Sequence, residues 1–221
     1  MFKKISLITK ILLLTATIVA SVFTGLYIRD NFLYNEIPAI VESRRVIKVS
    51  NWCVIIKGVA YRELYGTITE VDVRSLWRES LVLKNIHSVD KMVLYINTYG
   101  GSLTDTFGFA DWLVQMQEKD GIKVEAVVIG AAMSGAIPIL AVCSYRTATE
   151  NVTFMVHNPV IVGRPMDASD KGYIDGLTDK YAKLLARNTF LSEEEWRQKM
   201  LLKTFFDSEQ AFEWGLIDEI R

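Results

Sequence analysis

Two short, nearly all-apolar runs, MVLYIN (92–97) and VEAVVIG (124–130), each lead into a glycine-containing reversal and then a helical pattern, and this tandem constrains the chain more than any other feature. A strand without polar alternation has to be covered on both faces. The first run reaches Gly100-Gly101 and is followed by a helix over Leu103–Met116, with Phe107, Ala110, Leu113 and Val114 on one face. The second passes through a glycine turn into the apolar helix Gly135–Val142. Two such units in succession imply a parallel sheet flanked by helices. Half of the 221 residues are apolar and 23% are charged, which suits one large folded domain and excludes a disordered chain. Around these units Val54–Ile56 reads as a strand, 71–83 as a helix through Val71, Val73, Leu76, Trp77 and Leu81, and TFMV (153–156) as a further strand. Helices are expected over 168–190, 192–202 and 208–214.

The amino-terminal region is of a different kind. Residues 11–28, ILLLTATIVASVFTGLYI, carry no charge and follow a basic flank, 1–10, with Lys3, Lys4 and Lys10. Eighteen residues in a helix span about 27 Å, close to the thickness of a bilayer's hydrocarbon. One transmembrane helix is therefore expected, although small residues at Ala16, Ala20, Ser21 and Gly25 also suit a cleaved signal peptide. Positive charge ahead of the run favours residues 30–221 on the extracytoplasmic side. Residues 29–45 read as a linker, and the folded domain as 46–221.

The whole chain has a net charge of −1, with +3 in residues 1–30 and −4 in the remainder. A mildly acidic domain without a basic stripe gives no electrostatic reason to bind nucleic acid. Cys53 and Cys143 are too few for a disulfide framework and unsuitably spaced for zinc or a redox pair, so both read as buried thiols. No clustered ligands or phosphate-binding loop imply a metal or organic cofactor.

Sites in parallel α/β sheets lie at the carboxyl ends of strands. Three such ends carry unusual residues. In NTYGGS (97–102) adjacent glycines allow close approach to a ligand, making Gly100, Gly101 and Ser102 candidates for substrate binding. In GAAMSGA (130–136) Ser134 stands at a helix start, as a nucleophile or as a helix cap. MVHNP (155–159) brings His157 to a strand end, whereas His87, in NIHSVD, reads as a surface residue. A serine, a histidine and glycine amides at successive strand ends are the parts needed for acyl transfer.

At these residues the chain resembles the ClpP/crotonase-like family, and the proteolytic subunits of Clp proteases in particular. The likeness runs through VLYINTYGGSLTDTFGFADWL (93–113), VVIGAAMSGAIPILA (127–141), FMVHNP (154–159), LSEEEW (191–196) and FFDSEQAFEWGLIDEI (205–220). It implies a spiral of βα units with a mainly parallel sheet flanked by helices. It also implies a serine endopeptidase with Ser134 as nucleophile, His157 as base and the Gly101 and Gly135 amides as oxyanion hole. Peptides or unfolded polypeptide are the implied substrates, and a homo-oligomer with the helix at 168–190 near subunit contacts is the implied assembly. No ATPase module is present, so energy-dependent unfolding would need a partner.

Two departures stand out. An ungapped match puts Lys203 where the family carries its triad aspartate, which leaves three openings: another carboxylate such as Asp179 or Asp207, a working role for Lys203, or weak activity. A catalytically weak subunit that binds peptides or serves assembly is the corresponding alternative. The membrane segment is also reminiscent of SppA-type peptidases, which use a serine and lysine pair, so that Lys171 and Lys203 become candidate bases. An acyl-CoA enzyme of the crotonase fold fits Ser134 and His157 less well.

Overall fold

The computed structural model describes residues 46–165 and 167–221. The expected transmembrane helix 11–28 and its flanks lie outside the described residues. Among the described residues no helix is long and apolar enough to cross a membrane.

Nine strands form one sheet. A short antiparallel entry comes first: β1 (Val46–Lys48), β2 (Cys53–Ile56) and β3 (Val59–Ile68). From β3 onward the pairing is parallel, through β4 (Lys91–Gly101), β5 (Lys123–Met133), β6 (Tyr145–Ala148) and β9 (Glu219–Ile220). The crossovers are helical, as parallel pairing requires: α1 (Glu70–Asn85) joins β3 to β4, α2 (Leu103–Glu118) joins β4 to β5, and α3 (Ala136–Ala141) joins β5 to β6. The remaining elements are β7 (Thr153–Val156), α4 (Asp170–Asn188), α5 (Glu193–Leu201), β8 (Thr204–Phe206) and α6 (Ser208–Glu213).

Helix starts follow local chemistry. Thr69 with Asp72, Ser192 with Glu195, and Asp207 with Gln210 form reciprocal capping boxes at α1, α5 and α6. The chain entering α4 is pinned by Arg164, whose guanidinium donates two 2.7 Å bonds to the Asp170 carboxylate. That pairing, with help from the Asp167 N–H, holds the Asp170 carboxyl down at about 2. The core lies between sheet and helices, with Leu94, Ile96 and Val128 on the strands meeting Phe109, Leu113, Ile137 and Leu140 on α2 and α3, all inaccessible to solvent.

The structure departs from the sequence reading at two places that shape the site. The segment 97–102 is largely strand, not turn: β4 continues through Gly101 and pairs Gly100 with Thr67 and Gly101 with Ile68. Glycine is required there by crowding, since a Cβ on Gly101 would stand 2.1 Å from the Ile68 carbonyl oxygen. Likewise β5 does not end at Gly130. Glu125–Val128 pair with β6, and after Gly130, at φ +82°, Ala131–Met133 pair with β7 instead. Asn97 bridges the matching irregularity on β4, its Oδ1 accepting the Ala131 N–H at 3.2 Å. The partner change, with Ala132 still beside Thr98 of β4, delivers residue 134 alongside β7.

Candidate active site

Ser134 follows the last residue of β5, and His157 follows the last residue of β7. Because the two strands pair in parallel, with Met133 beside Met155, both side chains emerge at the same edge. Ser134 Oγ lies 2.8 Å from His157 Nε2, within the reach a general base needs. The Ser134 N–H donates to the Met155 carbonyl at 2.7 Å, which locks the two strand ends together. Both residues are half-buried and face a cleft of about 680 Å³.

Gly135, buried, stands one residue further on as the residue preceding α3. Its N–H has no acceptor among the described residues, and a Cβ placed on it would come within 3.3 Å of the Gly101 nitrogen. The two glycine main chains therefore adjoin beside the Ser134 hydroxyl, where amide donors could meet an oxyanion. Gly101 and Ser102 line the cleft, whereas Gly100 is buried behind it at φ +95°. A Cβ on Gly100 would stand 2.6 Å from the Met133 carbonyl oxygen and 2.8 Å from the Gly135 nitrogen. Ser102 also caps α2 through a long 3.4 Å bond from the Asp105 N–H. Val160, Ile161, Ile174 and Leu177 are among the apolar side chains that line the rest of the wall.

Gly135 is constrained from below by Thr106, fully buried on α2, whose Oγ1 would be only 2.4 Å from an added Cβ. Gly135→Ala is accordingly expected to destabilise the protein by about 1–3 kcal/mol through overpacking. The double variant Thr106→Ala/Gly135→Ala should recover most of that loss in thermal melts, since the obstructing hydroxyl is gone. A double variant no more stable than the single one would mean that the crowding lies elsewhere.

None of the candidates for a third group, Lys203, Asp179 and Asp207, hydrogen-bonds His157 among the described residues. β7 and β8 run antiparallel with Val156 opposite Thr204, and Lys203 immediately precedes β8. Lys203 is exposed at φ +49°, with its Nζ 5.9 Å from the centre of the Phe205 ring. Asp179 pairs with Arg197 at 2.5 Å and Asp207 caps α6, so neither carboxylate is engaged with His157. Lys171 is three-quarters exposed and pairs with Asp175 at 2.5 Å.

The structure adds a residue that the sequence did not point to. Tyr181 on α4 donates its hydroxyl to the Ser134 carbonyl at 2.7 Å, a contact across 47 positions that no local motif announces. Cys53 and Cys143 are buried free thiols pushed up to about 12, chiefly by burial, which removes them as nucleophiles near neutral pH. Among the described residues no group of three or more His, Cys, Asp or Glu side chains could hold a metal ion.

Sheet order, helical crossovers and a serine hydrogen-bonded to a histidine at adjoining strand ends place the chain among α/β proteins built like serine hydrolases. The match of the Clp protease family to residues 59–221 is more specific: the chain belongs to that family. It is 28% identical over 159 residues to the ATP-dependent Clp protease proteolytic subunit 1 of Thermobifida fusca, covering 69% of this chain and 70% of that one. It is 26% identical over 159 residues to the proteolytic subunit 2 of Corynebacterium jeikeium, covering 69% and 74%. Among solved structures, an asparagine-to-aspartate mutant of ClpP1 from Listeria monocytogenes shares the fold with a TM-score of 0.65 at 21% identity, over 73% of this chain and 90% of the other. These matches support the Clp side of the resemblance and lend none to the SppA side, which rests on residues 11–28.

Proposed function

We propose that this chain is a serine-type peptidase that cleaves peptides or unfolded polypeptide through an acyl-enzyme on Ser134. The 2.8 Å contact between Ser134 Oγ and His157 Nε2 at the floor of the cleft carries this reading. His157 takes the hydroxyl proton as Oγ bonds to the scissile carbonyl carbon, the Gly101 and Gly135 amides receive the oxyanion, and the returned proton leaves with the amine. Water then releases the acyl group by the same path. A histidine base is favoured over a lysine base because Lys171 is committed to Asp175 and Lys203 extends toward Phe205. No organic cofactor or metal enters this chemistry.

Labelling of the full chain by a fluorophosphonate tests the reading: wild type should be modified stoichiometrically and Ser134→Ala not at all. A folded wild type that takes up no label would favour the second reading, a peptide-binding or assembly subunit. That alternative rests on one observation: among the described residues no carboxylate hydrogen-bonds His157, whose side-chain partner is Ser134.

Residues 11–28 anchor the protein in a membrane in this proposal, with the domain on the extracytoplasmic side. Unfolding of large substrates would fall to a separate ATPase. Self-association is expected as well. Val160 and Val162 before α4, and Leu201, Leu202 and Phe205 around β8, are exposed apolar side chains, and α4 lies between these two patches in sequence. The full chain in mild detergent should sediment as a homo-oligomer at micromolar concentration; a monomer would refute this part.

A further inference from the structure

Ser134 has φ +52°, a left-handed conformation that a residue with a side chain keeps only where its surroundings hold it. Its N–H is tied to Met155, and its carbonyl accepts from the Ile137 N–H at 3.1 Å and from the Tyr181 hydroxyl at 2.7 Å. The first two contacts are main chain, from the neighbouring strand and from the turn that Ser134 itself begins. Tyr181 and His157 are the side chains hydrogen-bonded to Ser134 among the described residues.

The Ser134 carbonyl and the Gly135 N–H belong to one planar trans peptide, so they point in opposite directions. A donor that fixes the carbonyl on the α4 side therefore fixes the N–H on the other. Gly135 lacks a side chain to resist rotation of this peptide, and its N–H has no acceptor to hold it. We propose that Tyr181 is a positioning residue: its hydroxyl holds the Ser134–Gly135 peptide in the orientation that aims the Gly135 N–H at the oxyanion position. The inference rests on the peptidase reading only for its consequence in catalysis.

Tyr181 is suited to this task. It is 1% exposed, so its ring is fixed by packing. Burial raises the pKa of its hydroxyl, which keeps the group a protonated donor near neutral pH. Because α4 also supplies Ile174 and Leu177 to the cleft wall, the helix that meets substrate is the helix that orients the oxyanion donor.

The test is Tyr181→Phe in the full chain, which removes one hydroxyl and keeps the buried ring, with a thermal melt to confirm the fold. Acylation by a fluorophosphonate should slow at least tenfold, and kcat for a peptide should fall by a similar factor with KM within twofold of wild type. A smaller loss of acylation, or a change confined to KM, overturns the proposal. Ser-Gly occurs once in the sequence, so carbonyl-13C serine combined with 15N glycine gives a single correlated NMR signal, from the 134–135 peptide. In Tyr181→Phe that signal should move and split as the peptide samples both orientations; a signal unchanged from wild type overturns the proposal. Should wild type resist acylation, the peptidase reading falls and the NMR signal alone decides the role of Tyr181.

Discussion

Ser134→Ala is expected to lower peptide hydrolysis by about 10⁴-fold or more while leaving the melting temperature nearly unchanged. The methyl side chain occupies the same space at the strand end. The contacts that fix the backbone there, from Met155, Ile137 and Tyr181, do not involve Oγ. What is lost is the only atom placed to form the acyl bond, and the glycine amides then act on nothing but slow attack by water. Steady-state assays on a fluorogenic peptide check this. Turnover above a tenth of wild type would remove Ser134 from the mechanism.

The second large effect separates the two candidate bases. His157→Ala should be inactive, with a loss again on the order of 10⁴-fold, because among the described residues no other base lies within hydrogen-bond reach of Ser134 Oγ. Lys171→Ala and Lys203→Ala should retain most of the activity. Lys203→Asp should raise kcat several-fold, because a carboxylate beside the imidazole supports the imidazolium formed in the transition state. The backbone accepts the change, since Asp is among the residues that tolerate the positive φ found at this position. Peptide kcat/KM across the four variants decides the matter. Activity surviving in His157→Ala and lost in either lysine variant would establish a lysine base instead.

The parts of the fold that were legible in sequence are those whose side chains obey one periodicity. The buried strands around 92–97 and 124–130 and the helices after them turn mainly apolar side chains toward their neighbours, Thr106 on α2 excepted. β3 was not legible, and its chemistry explains why. Its inward face runs Ala60, Arg62, Leu64, so the alternation is broken by a charge. Arg62 is fully buried, and its guanidinium pairs with the equally buried Glu79 at 2.6 Å, donates to the Ser75 hydroxyl and lies over the Phe109 ring. Only the folded arrangement supplies those partners. The short strands β6, β8 and β9, two to four residues each, owe their existence to pairing and carry no pattern of their own.

The candidate site divides similarly. Ser134, His157 and the glycines were readable because strand-end motifs bracket them. Lys203 was placed by alignment of a conserved-looking segment, and the β7–β8 register gives it a physical location. Tyr181 was invisible because its role depends on where a helix packs, and a tyrosine on an inward helical face reads simply as core. Asn97 was hidden in another way: its motif suggested a turn, whereas its amide group ties two strands together where β5 changes partner.

That change of partner also sets the order in which the protein can become competent as it is made. The strand leading to Ser134 exchanges β6 for β7 along one edge, and β7 in turn has β8 on its other side, while β6 is flanked by β9 at residues 219–220. Ser134 and its glycines thus emerge from the ribosome well before the segments that close the sheet around them. Until residues 204–206 have followed, β7, which leads to His157, is open along the edge that β8 covers. A nascent chain therefore presents Ser134 before the last strand that frames the candidate site has been made.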